Sequence, residues 1–214
     1  MFKVKTDSIT GYKDKDIQYT VLSTDEHASK LAILLPGAGY TAQAPLLHYS
    51  TGVFLHKSVD VLQVNYSYND KIYDHFTMDE LVEAIKLDVG TIIDKVLEEN
   101  AYDGYYFVGK SLGTIALASL LDREIFRNSK AIWLTPLLNR DDVFESMLHS
   151  RNESLCFIGD DDTHYNAERY RQFANNPKLV TRLLEGADHS LQYKQDPVRS
   201  IDLLKTVIKE IDEF

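Results

Sequence analysis

The chain has 214 residues, 44% of them apolar and 26% charged, which is enough apolar side chain for one domain with a substantial core. Its formal net charge of −10 argues against nucleic acid as a partner, because a phosphate backbone calls for clustered Lys and Arg, and disfavours polyanionic substrates outside a local basic pocket. One cysteine, Cys156, rules out an internal disulfide; together with a leading MFKVKTDSIT that lacks the apolar core of a signal peptide, it makes a reducing cytoplasm the expected location.

In chain order, Phe2–Thr10 and Ile17–Ser23 read as a starting pair of strands, with Gly11 near the turn between them. The polar stretch STDEHASK then runs to Lys30. Leu31–Leu35 (LAILL) follows as a continuous apolar run of strand length, stopped by Pro36-Gly37, and Val59–Val64 reads as another strand. Phe76–Asn100 reads as a long amphipathic helix: Leu81, Ile85, Val89, Ile92 and Val96 recur every three or four residues, and Thr77 with Glu80 fits a capping box. Tyr105–Val108 is a strand pattern, and Leu112–Leu121 is a helix of small and apolar residues. Ala131–Leu134, Ser154–Ile158 and Leu179–Leu184 supply three more strands, and Asp196–Ile211 closes as a helix with Pro197 in its first turn.

No apolar run exceeds strand length, so no membrane span is expected. There is no repeat, linker or composition shift, and residues 1–214 read as a single domain. Apolar strands separated by helices predict an α/β fold: a mostly parallel twisted sheet with helices on both faces. On such sheets ligands bind beyond the carboxyl ends of the strands, so functional residues belong just after the apolar runs.

The segment GYYFVGKSLG fits two catalytic patterns at once. Gly104–Ser111 matches the phosphate-binding G-x-x-x-x-G-K-[ST], and Gly109–Gly113 matches the nucleophile elbow G-x-S-x-G. A phosphate loop needs a flexible arch of backbone N–H groups, whereas Tyr-Tyr-Phe-Val is bulky, apolar and strand-forming. The elbow accommodates the same residues as strand, sharp turn and helix, with Ser111 as the nucleophile. A hydroxyl of ordinary pKa needs a base, itself oriented by an acid. Asp160, Asp161 and Asp162 lie directly beyond one strand, and His189 lies beyond the final one, in the order Ser, Asp, His. An oxyanion hole then needs two backbone amides: Leu112, next after the nucleophile, and one from the loop after LAILL, Ala38 with Gly39 as the alternative.

With these residues in place, the chain resembles the α/β-hydrolase superfamily over nearly its whole length. It is most similar to the small lidless members related to dienelactone hydrolase. LLPGAGYT resembles their His-Gly-x-Gly loop, with Pro36 where many members carry His, and GKSLG resembles their serine elbows. GADHSL resembles their Gly-x-x-His segment, and GDDD resembles their Gly-x-x-Asp. The last likeness implies Asp162 as the acid, with Asp160 the alternative and Asp161 and Asp188 as solvated loop carboxylates.

Gly39, Tyr40, Lys110, His164 and Tyr165 are further candidate pocket residues. Lys110 is expected to face outward as a structural lysine, while His164 and Tyr165 fit a pocket wall or a surface loop equally. NYSYND (Asn65–Asp70) either borders the site or packs the sheet edge, and Cys156 reads as a buried inert thiol. His27, His48, His56, His75 and His149 have no metal-ligand spacing, so neither metal nor cofactor is expected. Only the 17 residues Leu137–Glu153 precede the strand at Ser154, enough for one short helix from NRDDVFESMLH and not for a cap. The expected activity is hydrolysis of a small carboxylic ester or thioester through an acyl-enzyme. The rival reading is a non-catalytic binding or scaffold protein of the same fold. The sequence carries no reading of oligomeric state.

Overall fold

The structure, a computed structural model, describes residues 2–24 and 28–214; Asp25, Glu26 and His27, part of the polar stretch before Lys30, lie outside the described residues. Eight strands form one sheet: β1 (Lys3–Thr10), β2 (Asp16–Ser23), β3 (Lys30–Leu35), β4 (Asp60–Asn65), β5 (Gly104–Lys110), β6 (Lys130–Leu134), β7 (Glu153–Gly159) and β8 (Leu179–Leu184). Their spatial order is β1-β2-β4-β3-β5-β6-β7-β8. β1 and β2 form an antiparallel hairpin, β2 runs antiparallel to β4, and every pair from β4 to β8 is parallel.

The parallel strands are apolar on both sides because both sides are covered. In β3, Leu31, Ile33 and Leu35 join the core under α2 (Met78–Glu99), α3 (Gly113–Leu121) and α4 (Asp141–His149). Ala32 and Leu34, one residue out of phase, join the second core under α1 (Pro45–His56) and α6 (Pro197–Glu213). This is the two-residue side-chain period of a strand read out as two layers. A short helix, α5 (Ala167–Gln172), precedes β8. Among the described residues, only the nine-residue α4 stands between β6 and β7, and there is no cap domain.

The chain order reverses at β3, whose neighbours are β4 on one side and β5 on the other. Connections leaving β3 and β5 therefore diverge, and a crevice opens beyond their carboxyl ends. Leu35 pairs with Gly109, Lys110 with Leu134, and Gly159 with Leu184, so the ends of five strands form one rim.

The sequence reading passed over α1. PLLHYSTGVFLH carries β-branched residues and a glycine and has no wide polar stripe, so neither propensity nor periodicity marks it. Its buried hydroxyls are satisfied locally: Ser50 and Thr51 donate to the carbonyls of Leu46 and Leu47 at 2.7 and 2.9 Å. For α2 the start is as the sequence indicates. Thr77 Oγ1 accepts from the Glu80 amide at 3.2 Å, and the Glu80 carboxylate accepts from the Thr77 amide at 2.9 Å. Replacing Thr77→Ala removes one of these caps and should cost about 1 kcal/mol. Urea denaturation should report a lower midpoint at an unchanged slope.

Candidate active site

β5 runs straight into Ser111, whose backbone φ of 51° lies in the left-handed region that a residue with a Cβ rarely occupies. Its amide donates to the Leu134 carbonyl at 3.0 Å, carrying the β5–β6 pairing one residue past the strand. Its carbonyl accepts from the Thr114 amide and hydroxyl at 2.9 and 2.5 Å, which starts α3 at once. The turn is possible only because α3 enters against bare backbone. A Cβ on Gly113 would lie 2.1 Å from the Leu35 carbonyl oxygen and 2.7 Å from that of Pro36. Gly37 is less confined but still close, since a Cβ there would come within 3.2 Å of the Ser111 Cβ.

The loops after β7 and β8 bring the other two candidates to the same rim. His189 Nε2 lies 2.7 Å from Ser111 Oγ. Its Nδ1 lies 2.8 and 2.9 Å from the two carboxylate oxygens of Asp162. An ionised carboxylate can only accept, so Nδ1 carries the proton and Nε2 accepts from the serine hydroxyl. Asp162 has no exposed side-chain surface. Burial alone would push its carboxyl up, but the His189 hydrogen bond and the His164 amide, 2.8 Å away, hold it below its ordinary value.

The other aspartates beyond β7 and β8 go elsewhere. Asp160 is exposed and accepts from the Gly186 amide at 2.6 Å. Asp161 pairs with Lys194 at 3.1 Å. Asp188 is half-buried and closes the turn after itself, accepting from the amides of Ser190 and Gln192. Among the described residues, no backbone hydrogen bond engages the amides of Ala38, Gly39 or Leu112. Leu112 is buried at the head of α3, Ala38 is half-buried, and Gly39 is exposed.

The pocket candidates separate. The His164 ring lies 4.9 Å from the His189 ring, and burial lowers its pKa. Tyr165 turns toward Tyr170 and the α2–α4 core. The Tyr40 hydroxyl accepts from the Leu46 amide at 2.9 Å, and burial pushes its pKa up to about 12.

Lys110 does not face outward. It is 1% exposed, and its Nζ donates to Thr135 Oγ1 at 2.6 Å and to the His189 carbonyl at 2.7 Å. The strand period explains this: Lys110 shares a face with Val108, which packs under α1 and α6. Burial brings its pKa down to about 8 against the opposing pull of Asp162 and Asp188.

NYSYND supports the loop after β3. The Tyr66 hydroxyl donates to the buried Pro36 carbonyl, and its ring stacks on Tyr68 at 4.7 Å. Tyr68 in turn donates to Asp88 Oδ2 at 2.5 Å, and Asp88 Oδ1 accepts from the Tyr12 amide at 2.6 Å. Asp88, on α2, is 1% exposed and its pKa is raised by burial. The sequence pointed to Tyr66 only as part of NYSYND, and not to Asp88 or Thr135. Asp88 did leave a signal, a carboxylate beside Val89 on the apolar stripe of α2.

No family model matches the chain, and no curated protein matches it. Solved structures do. An esterase of Pyrococcus furiosus superposes with a TM-score of 0.72 at 16% identity, over 99% of this chain and 91% of that one. A lidless α/β serine hydrolase of Xanthomonas campestris superposes with a TM-score of 0.70 at 14% identity, over 99% and 94%. This chain has the α/β-hydrolase fold. Est1E of Butyrivibrio proteoclasticus, solved with ferulic acid, shares that fold with a TM-score of 0.69 at 14% identity, over 92% and 94%. Within the α/β-hydrolase fold of this chain, and among the described residues, no cluster of three or more His, Cys, Asp or Glu could hold a metal ion. No described helix is long and apolar enough to cross a membrane.

Two measurements probe the rim. Tyr66→Phe should strand the buried Pro36 carbonyl and cost about 1–3 kcal/mol of stability in urea titrations. The lowered carboxyl of Asp162 contributes stability that is complete above the unfolded value near 3.8 and lost as pH falls through the folded value beneath it. Asp162→Asn should therefore be less stable than the parent at neutral pH, with the gap closing below pH ~4.

Proposed function

We propose that this chain is a serine hydrolase that cleaves small carboxylic esters or thioesters through an acyl-enzyme on Ser111. The observation that carries the reading is the unbroken line of hydrogen bonds from Asp162 through His189 to the Ser111 hydroxyl, at 2.8 and 2.7 Å. His189 takes the hydroxyl proton as Ser111 Oγ attacks the carbonyl carbon. Asp162 holds the imidazole in the required tautomer and stabilises its charged form. The Leu112 amide and an amide of the β3–α1 loop, that of Ala38, receive the developing oxyanion. His189 then protonates the leaving group, and water, deprotonated by the same imidazole, releases the acid. The positive φ of Ser111 supports the reading independently, because strain of this kind holds a nucleophile out at the strand tip. The absence of a cap between β6 and β7 among the described residues favours small, accessible substrates.

A fluorophosphonate probe tests the assignment. It should label Ser111, and labelling should vanish in Ser111→Ala. In His189→Ala, hydrolysis of p-nitrophenyl esters should fall by on the order of 10⁴-fold. Labelling that persists in Ser111→Ala, or no labelling of the parent, would sink the reading. Graded p-nitrophenyl esters and acyl-CoA thioesters would then define the acyl group.

A further inference from the structure

Ser111 holds the imidazole of His189, and its neighbour in the chain holds the backbone of the same residue. Lys110 Nζ donates to the His189 carbonyl at 2.7 Å, while Ser111 Oγ meets His189 Nε2 at 2.7 Å. Two consecutive residues of the elbow thus grip one histidine at both ends. A second donor of the ammonium goes to Thr135 Oγ1 at 2.6 Å, and the Tyr40 ring lies 5.0 Å from the nitrogen. One cation therefore touches the elbow, the β6–α4 connection, the loop of His189 and the β3–α1 loop. Thr135 is itself held for this: it is fully buried at a φ of 44°, with its amide bonded to the Phe157 carbonyl at 2.7 Å.

A fully buried lysine is expensive, because the ammonium surrenders its hydration. An apolar residue of similar length would fill the space without that cost, so packing alone does not account for it. The partners do: both are polar groups of the loops that frame the proposed base.

We propose that Lys110 is a positioning residue, whose buried ammonium fixes the loop carrying His189 by tying the His189 carbonyl to the Thr135 hydroxyl. This rests on the reading of His189 as the base. In this role Lys110 acts through His189, so its removal affects the chemical step and leaves substrate binding largely intact. A misplacement of the imidazole by a fraction of an ångström to 1 Å costs on the order of 10–100-fold.

The test is a double-mutant cycle read by the rate of fluorophosphonate labelling at Ser111 and by kcat and KM for a p-nitrophenyl ester. Lys110→Met should lower kcat and labelling by on the order of 10–100-fold with KM within about threefold. Placed on His189→Ala, the same substitution should change labelling by less than about threefold, because the residue it positions is gone. Equal losses in both backgrounds, or parent-like labelling of Lys110→Met, would overturn the proposal. If Lys110→Met does not fold, Thr135→Val removes one anchor of the ammonium and enters the same cycle. It should give a smaller loss of kcat that also disappears with His189→Ala; an additive loss, or none, overturns the proposal. Failure of the underlying reading appears separately, in the parent and in His189→Ala, as labelling that ignores His189.

Discussion

The close approach of α3 to the end of β3 sets the geometry from which the rest of the site follows. The Gly113 Cα sits where any Cβ would strike the Leu35 carbonyl, and that contact fixes how soon the helix begins after β5. With so little room, the chain turns at Ser111 through a positive φ and leaves the hydroxyl standing on the rim. The loop after β3 is brought beside the serine by the same contact, which is why Gly37 is also confined there. Every other candidate residue is measured from this point. His189 reaches the serine from the β8–α6 connection, and Asp162 reaches the histidine from the end of β7.

Two polar devices hold these loops, and both are buried. On one side of the sheet, Asp88 and Tyr68 stand behind Tyr66, which holds the carbonyl of Pro36. On the other, Lys110 spans the loops of Thr135 and His189. Each places an ionisable group in an apolar setting, and the cost of each is offset by specific partners. The rim thus rests on side chains beneath it, rooted in α2 and β5.

Much of this was legible in the sequence, for identifiable reasons. The strands of the parallel region announce themselves as apolar runs because both faces are covered, and α2 carries a clean stripe and a capping box. Ser111 and His189 were findable because chemistry at a sheet rim places them just after strands. The choice of Asp162 over Asp160 needed the resemblance, since three adjacent carboxylates look alike until the loop is folded. What was illegible depended on long-range contact. α1 has no polar stripe to mark its period, because its exposed face carries Pro45, Tyr49 and Gly52 while Ser50 and Thr51 are buried. Lys110 read as a surface residue because lysine usually is one, and nothing local reveals that a distant loop closes over it. Tyr66 and Thr135 act on backbone carbonyls and a lysine far along the chain, and no motif records such pairs.

An open sheet of this order ends in two strands with one unmatched edge each, β1 and β8. Such edges invite a strand from another molecule, and the invitation grows with flat, apolar surface. β1 is the longer one, and it carries the exposed Lys3 and Lys5, with Lys5 tied to Glu99 at 2.6 Å. Pairing a further strand along it would strip these charged side chains of water. At the opposite end, Arg182 of β8 reaches across to Glu210 of α6 at 2.7 Å and sets an ion pair beside the free backbone. Charged side chains at both margins thus weigh against edge-to-edge pairing, a constraint separate from anything that happens at the rim.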